Sequence, residues 1–131
     1  MIVVDASAIC AIIFDEPERA QFLAVLREAD SALVSPVNRW EAAVSIQHCR
    51  PDVAADRVVQ DILARAGIAV ADIGADEAGV AFHAWRTFGK GRHPAGLNLG
   101  DCFAYALAST RNLPLLFKGD DFPKTDVRSA L

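Results

Sequence analysis

Short apolar runs recur along the chain, each bounded by polar or turn-forming residues. They are rich in valine, isoleucine and leucine and only three or four residues long, which is typical of strands buried in a parallel sheet. The first run ends at Asp5, and the last ends at a polar turn that begins with Lys118. The pattern therefore predicts four strands, at residues 2–4, 32–34, 68–70 and 114–117.

Between these runs, apolar residues recur three or four positions apart, the spacing of an amphipathic helix. Ser35 followed by Pro36 is a typical helix start, because serine caps free backbone amides and proline fits the first turn. Gly67 is placed to end the next helix. Six helices are predicted, at residues 7–14, 19–29, 36–48, 53–66, 75–88 and 99–110.

The alternation of short strands with helices indicates an α/β fold, in which a parallel sheet is covered by helices on both faces. The 131 residues fit one compact domain, and we expect a single domain over residues 1–131. Apolar residues make up 53% of the chain, which is enough for a substantial core and argues against disorder. No internal repeat or low-complexity segment interrupts the pattern.

The chain is acidic, because 17 Asp and Glu outnumber 13 Lys and Arg and give a formal charge of -4. This balance argues against a simple basic nucleic-acid-binding module, which needs clustered Lys and Arg to neutralise phosphates. It remains compatible with a nuclease that offsets its own acids with bound metal.

The three cysteines, Cys10, Cys49 and Cys102, are widely spaced and form no CxxC pair. We expect buried, reduced thiols rather than disulfides or a zinc site. The apolar N-terminus carries Asp5 and lacks a basic segment, so it is a poor signal peptide. No apolar run approaches the roughly 20 residues of a membrane span. A cytoplasmic protein with no membrane partner is therefore expected.

Several acids are placed where the chemistry of an open parallel sheet is found, beyond the carboxyl ends of the strands. Asp5 follows the first strand, and Asp120 and Asp121 follow the last one. Asp101 lies in the first turn of the last helix, where the helix dipole favours a carboxylate. Glu41 lies about a turn and a half into the third helix, beside apolar positions.

Carboxylates that converge in one pocket repel each other, by about 4 kcal/mol for two charges about 4 Å apart at an effective dielectric near 20. Such a cluster therefore needs protons or a cation. Ligation by carboxylates alone, without His or Cys, favours Mg²⁺ or Mn²⁺ over zinc. Any one of these acids is more often a turn or cap residue, so the prediction of a metal site depends on the whole set.

Four segments together resemble the PIN-domain ribonucleases and, more narrowly, the VapC-type toxins of type II (VapBC) toxin–antitoxin pairs. They are VVDASAI at 3–9, WEAAV at 40–44, GKGRHPAGLNLGDCFAYALA at 89–108 and PLLFKGDDFPKTD at 114–126. The likeness covers essentially the whole chain. It implies a PIN-like three-layer α/β/α sandwich with a central, mostly parallel sheet, and a Mg²⁺-dependent endoribonuclease that acts as a toxin.

The resemblance also implies the site residues. The family acids map onto Asp5, Glu41, Asp101 and Asp121, as catalytic residues and metal ligands. Asp121 is the acid directly before Phe in the GxDF turn, whereas its neighbour Asp120 occupies a variable place and is the second candidate ligand from that turn. Many relatives carry a hydroxyl residue directly after the first Asp, where this chain has Ala6. Ser7 is then a possible hydroxyl for the metal shell.

Partners follow from the same resemblance. It implies an RNA substrate, a cognate VapB-type antitoxin, and a homodimer that forms a heterotetramer or larger assembly with that antitoxin. Four residues are predicted to contact RNA phosphates: Lys90, Arg92, His93 and Lys118. We expect Trp40 and Trp85 to pack in the core or at a dimer interface.

Two alternatives stay open within this fold: a PIN nuclease with a housekeeping role in RNA processing, and a catalytically silent PIN-like binding module. A third alternative belongs to another family. A receiver domain of the CheY type also places acids at strand ends, but this chain lacks the early adjacent acidic pair.

Overall fold

The structure is a computed structural model that describes residues 1–131 and contains one four-stranded sheet. Its four strands are β1 Ile2–Val4, β2 Ala32–Val34, β3 Ile68–Val70 and β4 Leu115–Leu116. They are all parallel and lie in the order β3-β2-β1-β4. The last strand is shorter than predicted because Pro114 has no amide hydrogen to donate to a neighbouring strand. Its carbonyl still accepts a hydrogen bond from the Val3 amide, at 2.9 Å.

The helices lie within two residues of their predicted ends. They are α1 Ala6–Ile13, α2 Arg19–Glu28, α3 Pro36–Cys49, α4 Ala55–Ala66, α5 Ala75–Phe88 and α6 Leu99–Arg111. A short 3₁₀ helix, Phe122–Lys124, follows β4. Gly67 ends α4 in the left-handed conformation, at φ 68°, as its position predicted. None of the helices is long and apolar enough to cross a membrane.

Helices cover both faces of the sheet, which confirms the predicted three-layer α/β/α architecture. Successive side chains of a strand point to opposite faces, and β1 shows this directly. Ile2 and Val4 pack in the larger apolar cluster with residues of α1 to α4. Val3 packs in the second cluster, with residues of α5 and α6. Both sides of the central strand are therefore buried.

The chain order creates a crevice at the carboxyl edge of the sheet. After β1, the chain adds β2 and β3 on one side, whereas β4 pairs on the other side of β1. Such a switch in direction leaves room above the strand ends, where open α/β sheets bind their ligands. Asp5 lies at this point, and its backbone amide donates to the Leu116 carbonyl at 2.9 Å.

The predicted burial of the cysteines was wrong for two of the three, and of the two places predicted for the tryptophans, the core and a dimer interface, the core is excluded. Only Cys102 is a buried cysteine; Cys10 is partly exposed, and Cys49 is exposed at the last residue of α3. Trp40 and Trp85 are 63% and 41% exposed, so neither is a core residue. On α3 the buried positions are Asn38, Ala42 and Ile46, and Trp40 projects from the other side of the helix.

Candidate active site

Asp5 is held at the end of β1 by the start of the helix that follows it. Its carboxylate caps α1, accepting the Ser7 amide at 3.0 Å and the Ser7 hydroxyl on the same oxygen, Oδ2. Aspartate is one of the residues best suited to this capping position. The side chain is only 2% exposed, and burial raises its pKa, although the hydrogen bonds from Ser7 oppose the shift. Asp5 is therefore a fixed and desolvated carboxyl group.

A buried amide that sequence reasoning missed lies against the other oxygen of Asp5. Asn38 is fully buried, and its Nδ2 donates to Asp5 Oδ1 at 3.3 Å and to the Gly100 carbonyl at 2.9 Å. Its Oδ1 accepts the hydroxyl of Ser35, the N-cap of α3. The signal available in the sequence was a polar residue on the apolar side of α3, three positions before Glu41.

Glu41 lies one turn further along α3 and is partly buried. Burial, followed by the charges of Asp5 and Asp101, raises its pKa to about 7. The carboxylate packs directly on the backbone of Gly100, where any Cβ would overlap it. Glycine at this position therefore lets α6 approach the glutamate closely.

Asp101 occupies the first turn of α6 and forms a capping box with Asn98. The Asn98 side chain accepts the Asp101 amide at 2.9 Å, and Asp101 Oδ2 accepts the Asn98 amide at 3.0 Å. Burial raises the pKa of Asp101 to about 6; the hydrogen bond from Asn98 lowers it, and the charges of Asp5 and Asp121 raise it further. The structure therefore brings Asp5, Glu41 and Asp101 within electrostatic reach of one another.

The turn after β4 lies at the rim of this cluster. Its backbone is tied to the cluster, because the Lys118 amide donates to the Ser7 hydroxyl at 3.0 Å. Asp120 and Asp121 are both exposed, and of the two only Asp121 is among the charges that raise the pKa of Asp101. The Lys118 ammonium is paired with Glu16 and, at 3.2 Å, with Glu18.

The donor set fits a hard divalent cation. The three buried or half-buried acids offer only oxygen, and no ion pair in the structure involves any of them. In the present side-chain positions, however, no three His, Cys, Asp or Glu residues are close enough to hold one ion together. Donor type and charge therefore match a metal, while the side chains do not form a preformed cage.

Thiol chemistry is not available at this site. Cys10 feels the charges of two of the acids: burial, followed by the charges of Asp5, Glu41 and Glu16, raises its pKa to about 11. Burial likewise raises the pKa of Cys102 to about 11. Both thiols are protonated at neutral pH and are poor nucleophiles.

The predicted basic loop packs next to the start of α6. Lys90 and Arg92 are exposed, and the Arg92 guanidinium lies 4.5 Å from the centre of the Trp85 ring. His93 has a structural role, since its Nδ1 accepts the Ala95 amide at 3.0 Å. Lys90 also lines an apolar groove of about 380 Å³ between α5 and α6; Phe82, Trp85, Asn98 and Leu99 are among the other lining residues.

A comparison with protein families decides the fold family. The family model described as PIN domain matches residues 2–128. The chain belongs to the PIN-domain family. Within it, the chain is 42% identical over 125 residues to Ribonuclease VapC30 of Mycobacterium tuberculosis, covering 95% of both chains. This similarity places it among the VapC ribonucleases and confirms the resemblance inferred from its four segments.

Solved structures show the same PIN architecture. The Mycobacterium tuberculosis toxin VapC20, described as cleaving the sarcin-ricin loop, superposes with a TM-score of 0.74 over 98% of this chain and 99% of the toxin. A toxin–antitoxin complex from Klebsiella pneumoniae gives 0.71 over 96% and 93% of the respective chains. Sequence identity is 16% in both cases, so these likenesses concern the fold alone.

Proposed function

We propose that this PIN-domain chain is a Mg²⁺-dependent endoribonuclease toxin that a cognate VapB-type antitoxin neutralises. The observation that carries the proposal is the cluster of Asp5, Glu41 and Asp101 at the sheet edge. Burial raises the pKa of all three carboxyl groups, neighbouring acidic charges raise those of Glu41 and Asp101 further, and no Lys or Arg is paired with any of them. A folded protein keeps such an uncompensated set where a cation or proton is part of its function.

Asp5, Glu41 and Asp101 would hold the metal, with Asp121 joining from the exposed turn. Mg²⁺ (or Mn²⁺) at this place would supply an activated water and offset the charge of a phosphodiester. Ser7 and Asn38 orient the Asp5 carboxylate, and the capping box with Asn98 positions Asp101. To hold one ion these side chains would have to come closer together, because no three of them are near enough in their present positions.

RNA is proposed to lie along the basic loop and reach the acids from there. Lys90 and Arg92 are exposed and make no ion pair with an acid, so both can bind phosphates; Arg92 does so from its place over the Trp85 ring, and Lys90 lines the groove that also contains Asn98 of the Asp101 capping box. His93 and Lys118 are weaker members of this set, because His93 supports its own loop and Lys118 is paired with two glutamates.

A homodimer and an antitoxin complex are proposed from the family. Exposed apolar side chains support a buried partner surface, since monomers seldom expose clustered aromatic residues without a function. Phe82, Trp85 and Leu99 line one groove and are exposed by 59%, 41% and 67%, and Trp40 on α3 is 63% exposed. Light scattering should give twice the chain mass of 14.0 kDa. A mass of one chain at all concentrations would remove the homodimer from the proposal.

The experiment that tests the function is cleavage of a mixed RNA pool by the purified chain, with Mg²⁺ and with EDTA. Cleavage should require the metal and disappear in Asp5→Asn and Asp101→Asn. Asp61→Asn is the matched control, because Asp61 is an exposed acid on α4 and should leave activity unchanged. Cleavage that survives EDTA and both site variants would contradict the proposal. If neither the wild-type chain nor any variant cleaved RNA, the result would favour the catalytically silent module.

A further inference from the structure

One buried side chain joins the three elements that carry the acids. Asn38 belongs to α3, and its amide reaches the carboxylate after β1 and the backbone at the start of α6. It is fully buried, as is the Ser35 hydroxyl that donates to its carbonyl oxygen. Because both side chains are buried away from bulk solvent, the geometry of these contacts is set by the packing of the three elements.

Each contact of Asn38 bears on a different acid. Nδ2 donates directly to Asp5, and the same nitrogen donates to the carbonyl of Gly100, the residue before Asp101. Glu41 lies one turn further along α3 and packs on Gly100. The Asn38 amide also lowers the pKa of Glu41, which counteracts part of the effect of burial.

The chemistry of an amide suits this place better than that of other side chains. Its two N–H groups are both used, and its oxygen accepts a third hydrogen bond. An aspartate would add a negative charge to three acids that already repel each other. A leucine, whose branched side chain has the same number of non-hydrogen atoms, would leave the Gly100 carbonyl and one Asp5 oxygen without this donor.

We infer that Asn38 is a positioning residue of the carboxylate cluster, whose amide fixes Asp5 and the start of α6 relative to α3 so that the acids can share one divalent cation. The inference rests on the proposed metal-dependent function. It assigns Asn38 no contact with RNA or with the reacting atoms.

The test measures Mn²⁺ binding by electron paramagnetic resonance and the steady-state cleavage of a short RNA. Asn38→Leu should bind Mn²⁺ about 10- to 100-fold more weakly, the range for residues that orient metal ligands. With saturating metal, kcat should fall and KM for RNA should stay unchanged. Should the leucine variant fail to fold, Asn38→Ala leaves space for a water at Gly100 and should show the same loss.

Ser35→Ala is the matched control for a purely structural role. It removes the N-cap of α3 and one hydrogen bond of Asn38, and should cost about 1 kcal/mol of stability. It leaves both Asn38 donors in place, so Mn²⁺ affinity should stay within about threefold of wild type, well short of the loss expected for an orienting residue.

The outcomes separate the two proposals. Equal Mn²⁺ affinity in wild type and a folded Asn38 variant would overturn the positioning role alone. A loss of affinity in Ser35→Ala as large as in Asn38→Leu would also overturn it, because general destabilisation would then explain both. A wild-type chain that binds no Mn²⁺ would overturn the metal-dependent function together with this inference.

Discussion

The acids of the site fall into two regions that are built in different ways. Asp5, Glu41 and Asp101 are buried or half-buried and packed among helix starts and a glycine backbone. Asp120 and Asp121 lie on an exposed turn, and Asp121 makes no capping hydrogen bond with the 3₁₀ helix that follows it. The first region places its carboxylates by packing, whereas the second places them by a turn.

This difference shows that the packed acids, and not those of the turn, cost the folded chain stability. Desolvation raises the pKa of each of the three packed acids, so their charged forms are disfavoured without a cation. The exposed turn carries no such penalty and can adjust when a ligand arrives. We therefore expect the packed acids to dominate both metal binding and catalysis, and the turn acids to modulate them.

The largest effect should separate Asp5→Asn from Asp121→Asn in RNA cleavage. Loss of the packed acid should lower kcat/KM by about 1000-fold, about 4 kcal/mol in transition-state free energy. Asp121→Asn should lower it by only about tenfold, because the turn carboxylate is exposed and less constrained. Equal losses in both variants, with circular dichroism showing both folded, would remove the distinction between the two regions.

A smaller effect is expected in the way the free energy of unfolding changes with pH when EDTA is present. The pKa of Glu41 rises from 4.5 to about 7 on folding, so the folded chain retains a proton that the unfolded chain loses. The contribution of Glu41 to the free energy of unfolding is therefore fully present below pH 4.5 and is lost as the pH rises through about 7. Urea unfolding should show wild type losing about 1–2 kcal/mol relative to Glu41→Gln over this window, allowing for solvent screening.

The difference between the two stability curves isolates the effect of Glu41 from that of surface acids whose contribution to stability changes with pH in the opposite direction. Hydrogen bonds lower the pKa of Asp52 and Glu77, and these groups add stability as the pH rises. Adding Mg²⁺ at neutral pH should restore the wild-type stability. Parallel curves for wild type and Glu41→Gln would show that Glu41 is not desolvated as described.

The smallest expected effect is on RNA cleavage when one of two glycines is replaced by alanine. Gly100→Ala would place a methyl group on the Glu41 carboxylate and displace that flexible side chain, so RNA cleavage should fall about tenfold, or about 1.4 kcal/mol. Gly79→Ala is the control, because a Cβ there meets no other atom and alanine favours helix α5 by about 0.5–1 kcal/mol. A Gly100→Ala variant that cleaves RNA as fast as wild type would show that the position of Glu41 is not critical.

Much of the packed region could be predicted from the sequence. Asp5 follows the first apolar run directly, and Asn98 with Asp101 marks the start of an apolar helix, so local pattern alone placed both acids at the sheet edge. The observed strands and helices confirm that reading, because strand and helix periods differ clearly in this chain. Glu41 and Asp121 were also candidates by position, and the family resemblance then assigned them to the site and ranked Asp121 above Asp120.

What the sequence left open depends on contacts between distant segments. Asn38 and Gly100 meet across 62 positions, and nothing in the local pattern of either residue indicates the other. The pairing of Lys118 with Glu16 similarly joins the turn after β4 to the segment before α2. Trp40 resembled a core residue by type, but its place on α3 faces away from Ala42 and Ile46.

Calorimetric titration of Mg²⁺ into the folded chain tests whether the packed acids hold one divalent cation. Wild type should bind with a single-site isotherm, Asp5→Asn should show no binding, and Asp121→Asn should bind less than about tenfold more weakly, a difference below about 1.4 kcal/mol. Undiminished binding in Asp5→Asn, with loss in Asp121→Asn instead, would contradict the account and move the metal site to the exposed turn.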